Sequence, residues 1–144
     1  MILVTGGCGF IGSHITDALI ERNHKVIVMD NLSSGNLKNL NSKAEFIKGD
    51  VTNIDDIEEI FSRFPIEAVC HHAAQISVAV SMANPVLDVN TNILGIINLL
   101  QACSRYSVKR FVFASSAAIY GNPVYLPIDE EHPKNPLSFY GLSK

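Results

Sequence analysis

The sequence contains no tryptophan and only three cysteines, Cys8, Cys70 and Cys103, among 144 residues. Their odd number, wide separation and lack of any CxxC spacing exclude a disulfide framework and a cysteine-based zinc site, and point to a reducing compartment. Charge is scarce as well, at 17% of residues against the usual quarter or so. Eleven Lys and Arg against 14 Asp and Glu leave a net charge of −3, which builds no basic face and argues against nucleic acid as a partner. No apolar run reaches the roughly 18 residues of a membrane span. Met1-Ile2-Leu3-Val4 runs straight into Thr5-Gly6-Gly7, which leaves no room for the basic-then-apolar order of a secretion signal. Repeats, low-complexity tracts and charge blocks are absent. The expectation is a cytoplasmic protein with no membrane segment. What the chain has in quantity is apolar surface: 47% hydrophobic residues, with a mean hydropathy of +0.21. That excludes disorder and suits one domain with one core.

Short β-branched runs alternate with amphipathic helical stretches, the pattern of a parallel sheet covered on both faces by helices. Strands are expected at residues 1–5, 25–30, 45–49, 66–70 and 110–114. Ile11, Ile15 and Leu19 recur every four residues and mark a first helix that stops near Asn23-His24. Residues 31–43, rich in Asn, Ser and Gly, read as a loop, and residues 54–64 as a second helix. Asn84-Pro85 supplies a cap and a first helical position. A long helix comes next, with Val86, Val89, Ile93, Ile97 and Leu100 on one face. Residues 115–139 are loop-dominated, and 140–144 form the first turns of another helix. Right-handed crossovers then give an α/β doubly wound parallel sheet of Rossmann type, with strand order third-second-first-fourth-fifth.

Between the first strand and first helix lies Thr5-Gly6-Gly7-Cys8-Gly9-Phe10-Ile11-Gly12. It reads as GxxGxxG (Gly6, Gly9, Gly12) or as GxGxxG (Gly7, Gly9, Gly12). Either way, positions without side chains let the backbone turn tightly and approach a pyrophosphate, which then meets the free N–H groups and dipole of a helix N-terminus. Gly12 lets the helix pack close to the strand. Asp30 ends the second strand, where a carboxylate can accept from both ribose hydroxyls and would repel the extra phosphate of NADP. NAD is therefore the expected cofactor. Cys8 within the loop reads as a tolerated small residue, not a reactive thiol.

The fifth strand runs into Ser115-Ser116-Ala117-Ala118-Ile119-Tyr120-Gly121, at the end of the sheet that faces the ligand crevice. Tyr140 and Lys144 then place a phenol and an ammonium at i,i+4 on one helix face. A phenol of pKa ~10 needs about three units of depression to act as a base near neutrality, which costs ~4 kcal/mol. A fixed cation at ~4 Å supplies ~4 kcal/mol at an effective dielectric of ~20. One lysine is about sufficient.

With these motifs in place, the chain resembles the extended short-chain dehydrogenase/reductase family, and within it the NAD-dependent sugar-nucleotide epimerases. The resemblance covers all 144 residues. It rests on the TGGxGFIG loop, the DNLSSG-type stretch from Asp30 to Gly35, Gly49-Asp50-Val51, His72-Ala73-Ala74-Gln75, Asn92-Ile93-Leu94-Gly95, the Ser115–Gly121 segment and Tyr140–Lys144. It implies cofactor contacts by Gly6, Gly9, Phe10, Ile11 and Gly12 in the loop and by Asp30, Asn31, Ser34 and Gly35 after the second strand. Asp50 and Val51 would hold the adenine end, Ala73, Ala74 and Gln75 would line the cofactor, and Asn92 would support the site from the long helix. Tyr140 would remove the proton from a sugar hydroxyl at C4 while hydride moves to NAD. Ser116 would hold that oxygen, and Lys144 would bind the nicotinamide ribose and keep Tyr140 ionised. The implied substrate is a nucleotide sugar of the UDP-glucose/UDP-galactose type, epimerised through a transient 4-keto sugar.

Dehydratases of this family carry an Asp-Glu pair just after the strand-five hydroxyl, where this chain has Ala117-Ala118; epimerisation is therefore preferred over dehydration. The alternatives are another sugar-nucleotide enzyme of the family (dehydratase, decarboxylase or reductase) and a non-catalytic NAD-binding module. Phe139 stands where many relatives have Pro. His71-His72 reads as packing rather than a metal site, since no third ligand lies at suitable spacing. Asp129-Glu130-Glu131 reads as a solvated turn, and Tyr120 lacks the lysine one turn on that a base would need. Family members are often homodimers through a helix pair that includes the long helix. Residues 1–144 are expected to be the cofactor domain, in part, of a longer enzyme with a substrate-binding domain beyond it, and to bind NAD weakly and turn over nothing alone.

Overall fold

The computed structural model describes residues 1–144. Five parallel strands form one sheet: β1 (Ile2–Thr5), β2 (Val26–Asp30), β3 (Glu45–Lys48), β4 (Ala68–His71) and β5 (Arg110–Phe113), in the order β3-β2-β1-β4-β5. The expected order is the observed one. Register aligns the carboxyl ends, so that Thr5 of β1 stands beside Met29 of β2 and His71 of β4. The chain changes direction of travel across the sheet at β1, and the crevice between the β1 and β4 ends is where such folds hold ligands.

Strand alternation divides the core in two. Leu3, Ile27, Met29 and Val69 point to one face, where they meet Ile57, Ile60 and Phe61 of α2 (Ile54–Arg63). The same layer takes Leu99, Ala102 and Cys103 from the long helix. Val4, Val26 and Val28 point to the other face and pack with Cys8 against Ile15, Leu19 and Ile20 of α1 (Phe10–Glu21). Ile11, grouped with Ile15 and Leu19 by periodicity, is exposed, because the first turn of α1 approaches the sheet through small residues: Gly12, Ser13 and Thr16 are its buried positions.

Three features depart from the expectation. β4 begins at Ala68 and runs through His71, so that the histidine is a strand residue with its ring in the core. A short helix, α3 (Val78–Ala83), precedes the long one, with Ser77 as its cap through a bond from Val80 N–H. The long helix is interrupted: α4 (Pro85–Val89) passes through a π-turn (Asn90–Leu94) into α5 (Gly95–Arg105). This Pro85–Arg105 rod has 21 residues and a hydropathy of 1.3, enough by length and composition to cross a bilayer. Asp88, Asn92 and Asn98 are nonetheless on its buried side, beside Gly95, Leu99, Ala102 and Cys103. Its apolar periodicity lies on the other side, where Val86, Val89, Ile97 and Leu100 are exposed. The last helix is α6 (Phe139–Ser143), capped by Ser138.

Candidate active site

The glycine loop is shaped by two close approaches. Gly6 sits at φ +69°, and a Cβ there would lie 2.6 Å from Ala73 N, so β1 and the segment after β4 touch backbone to backbone. A Cβ on Gly12 would lie 2.2 Å from Gly6 O. Gly9 is the N-cap of α1 and has no side chain to cap with. The N–H groups of Phe10, Ile11 and Gly12 therefore lack an intrahelical acceptor, and both apolar side chains point outward, 79% and 60% exposed. Cys8 is wholly buried, with its thiol pushed up to about 11 by burial and by the Asp30 charge, as suits an inert small residue.

Asp30 closes the loop. Its Oδ2 accepts from Cys8 N–H at 2.9 Å and its Oδ1 from Leu32 N–H at 2.8 Å, which fixes the carboxylate at the rim with a further lone pair on each oxygen. Gly35 passes over it; a Cβ there would be 2.9 Å from Asp30 Oδ1. Asn31 Nδ2 donates to Asp50 Oδ2 at 2.8 Å, tying the β2 exit to the β3 exit. Burial raises the Asp50 pKa, but bonds from Asn31 and Thr52 more than offset this and hold it below the usual carboxylate range. Val51 is buried under Gly95, and Ser34 is exposed beside Gly35.

Past β4, Ala73 N–H donates to Thr5 Oγ1 at 3.3 Å, and Ala74 and Gln75 come next as half-buried lining. Asn92, brought inward on the π-turn, grips Gln75 by both backbone groups: its Oδ1 accepts from Gln75 N–H at 2.8 Å and its Nδ2 donates to Gln75 O at 3.0 Å. The same Nδ2 donates to Ser143 Oγ at 3.0 Å. Tyr140 N–H donates to Ser81 Oγ at 3.0 Å, so α6 is tied to α3 as well as to the π-turn. Lys144 closes α6 with its Nζ 4.6 Å from the centre of the Phe113 ring and its backbone oxygen accepting from Ser115 Oγ at 3.0 Å. Ser116 caps the short turn Ala117–Ile119, its Oγ accepting from Ala118 N–H at 3.2 Å.

All the expected residues thus lie at the carboxyl edge of the sheet, in two groups: the loop, Asp30, Asn31, Ser34, Gly35, Asp50 and Val51 over β1–β3, and Ala73, Ala74, Gln75, Asn92, Ser116, Tyr140 and Lys144 over β4–β5. The sequence reading missed Asp88, Ser81, Ser143 and Thr5, while the packing role expected of His71 is the one its ring has in the core. Asp88 stands four residues before Asn92, one turn back on the same face, and that spacing was the available signal. His71 Nδ1 pairs with Thr5 Oγ1 at 2.6 Å and its ring stacks on Phe113, 5.8 Å between centres. Burial, with the Lys144 and His72 charges, drops its pKa to about 3. Tyr120 packs edge-on to the buried His132, and Asp129 is exposed, accepting from Tyr125 OH and Glu131 N–H.

A Methanocaldococcus jannaschii protein provisionally named UDP-glucose 4-epimerase is 55% identical over 145 residues, covering 100% of this chain and 47% of its own length. The UDP-glucose 4-epimerase of Lactobacillus helveticus is 41% identical over 143 residues, covering 99% of this chain and 43% of its own. The Thermotoga maritima UDP-glucose 4-epimerase crystallised with UDP-glucose superposes with a TM-score of 0.96 at 48% identity, over 99% of this chain and 47% of its own. This chain therefore spans about half the length of the relatives it matches. Residues 2–144 match the model of the NAD dependent epimerase/dehydratase family, and the chain belongs to that family.

Proposed function

We propose that this chain is the cofactor-holding, amino-terminal part of a nucleotide-sugar 4-epimerase, with UDP-glucose and UDP-galactose as its substrate pair. The observation that carries this reading is the joint fixing of Tyr140 and Lys144: the helix that bears them is bonded to Asn92 through Ser143 and to Ser81 through the Tyr140 N–H. The backbone approach at Gly6 and Gly12, and the uncapped first turn of α1, suit a pyrophosphate, and the rim carboxylate of Asp30 suits an unphosphorylated ribose. The family is NAD-dependent, and the Thermus thermophilus UDP-glucose 4-epimerase, 45% identical with a TM-score of 0.95, was crystallised with NAD. When bound, NAD supplies a two-electron acceptor that takes up a carbon-bound hydrogen as hydride and gives it back.

In this reading the N–H groups of Phe10, Ile11 and Gly12 hold the pyrophosphate. Asp30, with Asn31, Ser34 and Gly35 around it, holds the adenosine ribose. Asp50 and Val51 hold the adenine, and Ala73, Ala74 and Gln75 flank the nicotinamide half, with Asn92 fixing Gln75. Tyr140, as phenolate, takes the proton of the sugar C4 hydroxyl as its C–H bond breaks, and returns it after the 4-keto sugar has turned over. Ser116 donates to that oxygen. Lys144 binds the nicotinamide ribose and stabilises the phenolate. Ala117 and Ala118 occupy the turn capped by Ser116 and bring no carboxylate to protonate a leaving hydroxyl, which favours epimerisation over dehydration. We assign the substrate-gripping domain to the part of the enzyme beyond Lys144. The exposed Val86, Val89, Ile97 and Leu100 form the face we assign to a second copy of the enzyme, and three free cysteines suit the cytoplasm.

The test is incubation of the full-length protein with UDP-galactose and NAD, with proton NMR of the sugar as the readout. Appearance of UDP-glucose without net NADH, abolished in Tyr140→Phe, is the expected result. Accumulating NADH, or a 4-keto-6-deoxy sugar, assigns the chain to a dehydrogenase or a dehydratase instead.

A further inference from the structure

Residues 121–137 join the turn capped by Ser116 to α6 without a helix or strand, a length of irregular chain that compact domains seldom carry without a function. The segment is nonetheless folded around one side chain. His132 is only 1% exposed. Its Nε2 accepts from Val124 N–H at 2.9 Å, and its Nδ1 lies 2.9 Å from Pro133 O. A backbone N–H can only donate and a carbonyl can only accept, so both bonds form only when the ring proton sits on Nδ1. Tyr120 meets the ring edge-on at 5.5 Å between centres, and Tyr125 packs on it at 4.7 Å. Tyr125 OH donates in turn to Asp129 Oδ1 at 2.7 Å, and Asp129 O accepts from His132 N–H at 3.2 Å.

The pinned segment bears on the candidate site at both of its ends. Where it leaves the turn, Gly121 sits at φ +66°, and a Cβ there would lie 2.0 Å from Asn135 O. Where it returns, Gly141 of α6 fits between segment and turn: a Cβ would lie 2.6 Å from Ala118 O and 3.1 Å from Pro136 Cβ. Tyr120 N–H donates to Ala117 O at 3.1 Å, so the tyrosine that His132 meets closes the turn that Ser116 caps. We infer that His132 is a positioning residue: as the neutral Nδ1–H imidazole it holds residues 121–137 closed, and so seats the Ser116 turn against the helix that carries Tyr140 and Lys144. This rests on the epimerase reading for its catalytic consequence. The buried ring takes no proton from the sugar; that proton goes to the Tyr140 oxygen and returns from it. Its effect is on geometry, where an error of about 1 Å between reacting groups can cost on the order of 100-fold in rate.

The test compares variants of the full-length protein. His132→Phe keeps a ring between Tyr120 and Tyr125 but leaves Val124 N–H and Pro133 O without their partner. It is expected to lower kcat for UDP-galactose by about 10–100-fold. NAD affinity should not change, because the glycine loop and Asp30 lie over β1–β3 and share no hydrogen bond with residues 121–137. In His132→Gln an amide oxygen takes the acceptor place of Nε2, and most of the rate returns. Wild-type kcat in a folded His132→Phe overturns the inference. So does a loss of NAD affinity in step with kcat, which would mark a general loosening of the fold. If His132→Phe fails to fold, Val124→Pro decides: it deletes the donor to Nε2 from a residue that is 75% exposed, and an unaltered kcat there overturns the inference. The tautomer is read independently by 15N NMR of the wild type, the His132 signals being those lost in His132→Gln, and a proton on Nε2 overturns the pin. A wild type that does not interconvert UDP-galactose and UDP-glucose would sink the functional reading alone. The tautomer and the crystallographic place of Ser116 in His132→Phe would then decide, and a turn that keeps its seat against α6 overturns the inference.

Discussion

Asn92 Nδ2 donates to Ser143 Oγ at 3.0 Å, joining a π-turn in the longest helix to the residue just before Lys144. Ser143 Oγ in turn donates to Tyr140 O at 3.1 Å, so one amide sets the position of the helix that carries both the phenol and the ammonium. The same amide grips Gln75 by its backbone, so the segment after β4 and the α6 helix share one anchor. A π-turn admits one extra residue per turn and rotates the residues beyond it, here bringing a polar side chain to a helix face that a regular helix would present differently.

Replacing Asn92 by Ala strips partners from the half-buried Gln75 N–H and carbonyl and from the buried Ser143 hydroxyl, which then keeps only Tyr140 O. Unsatisfied buried polar groups cost about 1–3 kcal/mol each, so a loss of about 3 kcal/mol is expected in chemical denaturation of the full-length protein. Ser143→Ala removes a single member and should cost about 1 kcal/mol. Activity should fall in both, and equal stability losses for the two variants would refute the assignment of Asn92 as the hub.

The glycine loop makes a sharper contrast. A methyl group on Gly12 would meet Gly6 O at 2.2 Å, backbone against backbone, with nothing flexible to give way. Gly12→Ala should therefore push α1 off the sheet, costing about 1–3 kcal/mol, and weaken NAD binding by at least tenfold or so. At Gly9 the nearest atom is Gly6 O at 3.2 Å, so Gly9→Ala should leave stability within about 1 kcal/mol of wild type while still obstructing a phosphate. Calorimetric titration with NAD, beside thermal unfolding, separates the two variants.

Much of this was legible in the sequence because strand alternation and turn chemistry are local. Leu3 and Val4, on successive positions of β1, already divide the core between its two faces, and Asn84-Pro85 caps the long helix as its side chain and ring dictate. What periodicity could not supply was the meaning of the apolar stripe Val86–Val89–Ile93–Ile97–Leu100. A helix stripe records where apolar partners lie without saying whether they belong to the same domain. Here the domain's own side is occupied by Asp88, Asn92 and Asn98, polar residues whose partners come from distant segments: Gln75, Ser143 and the Val51 carbonyl. Two of those pairings span 51 and 47 residues, beyond the reach of any periodicity window, and the third, over 13, crosses from a loop to a helix where no periodicity links the two. The Tyr140–Lys144 spacing was visible; the burial of the Asp88 carboxylate, with its Oδ2 unpartnered, was not.

His71 predicts a pH dependence of stability. In the unfolded chain its imidazole titrates near 6.5, and in the fold burial holds it down to about 3. The folded state binds the proton less readily, so the stabilisation is fully present above pH 6.5 and is lost as pH falls toward 3. The slope across that window is up to about 1.4 kcal/mol per pH unit. His71→Gln, which keeps an acceptor for Thr5 but cannot charge, should flatten the denaturation midpoint between pH 6 and pH 4 or so, while the stabilisation from Asp50, held below the usual carboxylate range, is present across that window and is lost only at lower pH.

The cysteines give the last prediction. Burial and the Asp30 charge push the Cys8 thiol up to about 11, and burial alone takes Cys103, in the core against α2, to about 11 as well. Cys70 on β4 is half-buried and raised in the same direction. Reactivity tracks the thiolate, and a thiol of pKa near 11 is less than about one per cent ionised at pH 8, before access is considered. Brief iodoacetamide treatment of the native full-length protein at pH 8 should therefore leave Cys8 and Cys103 unmodified in a peptide map, with complete labelling after denaturation. Rapid native labelling of Cys8 would mean that the glycine loop opens on that timescale, and NAD should then protect it. Labelling that is slow with or without NAD is the outcome expected of a loop closed by Gly35 and by the Asp30 carboxylate.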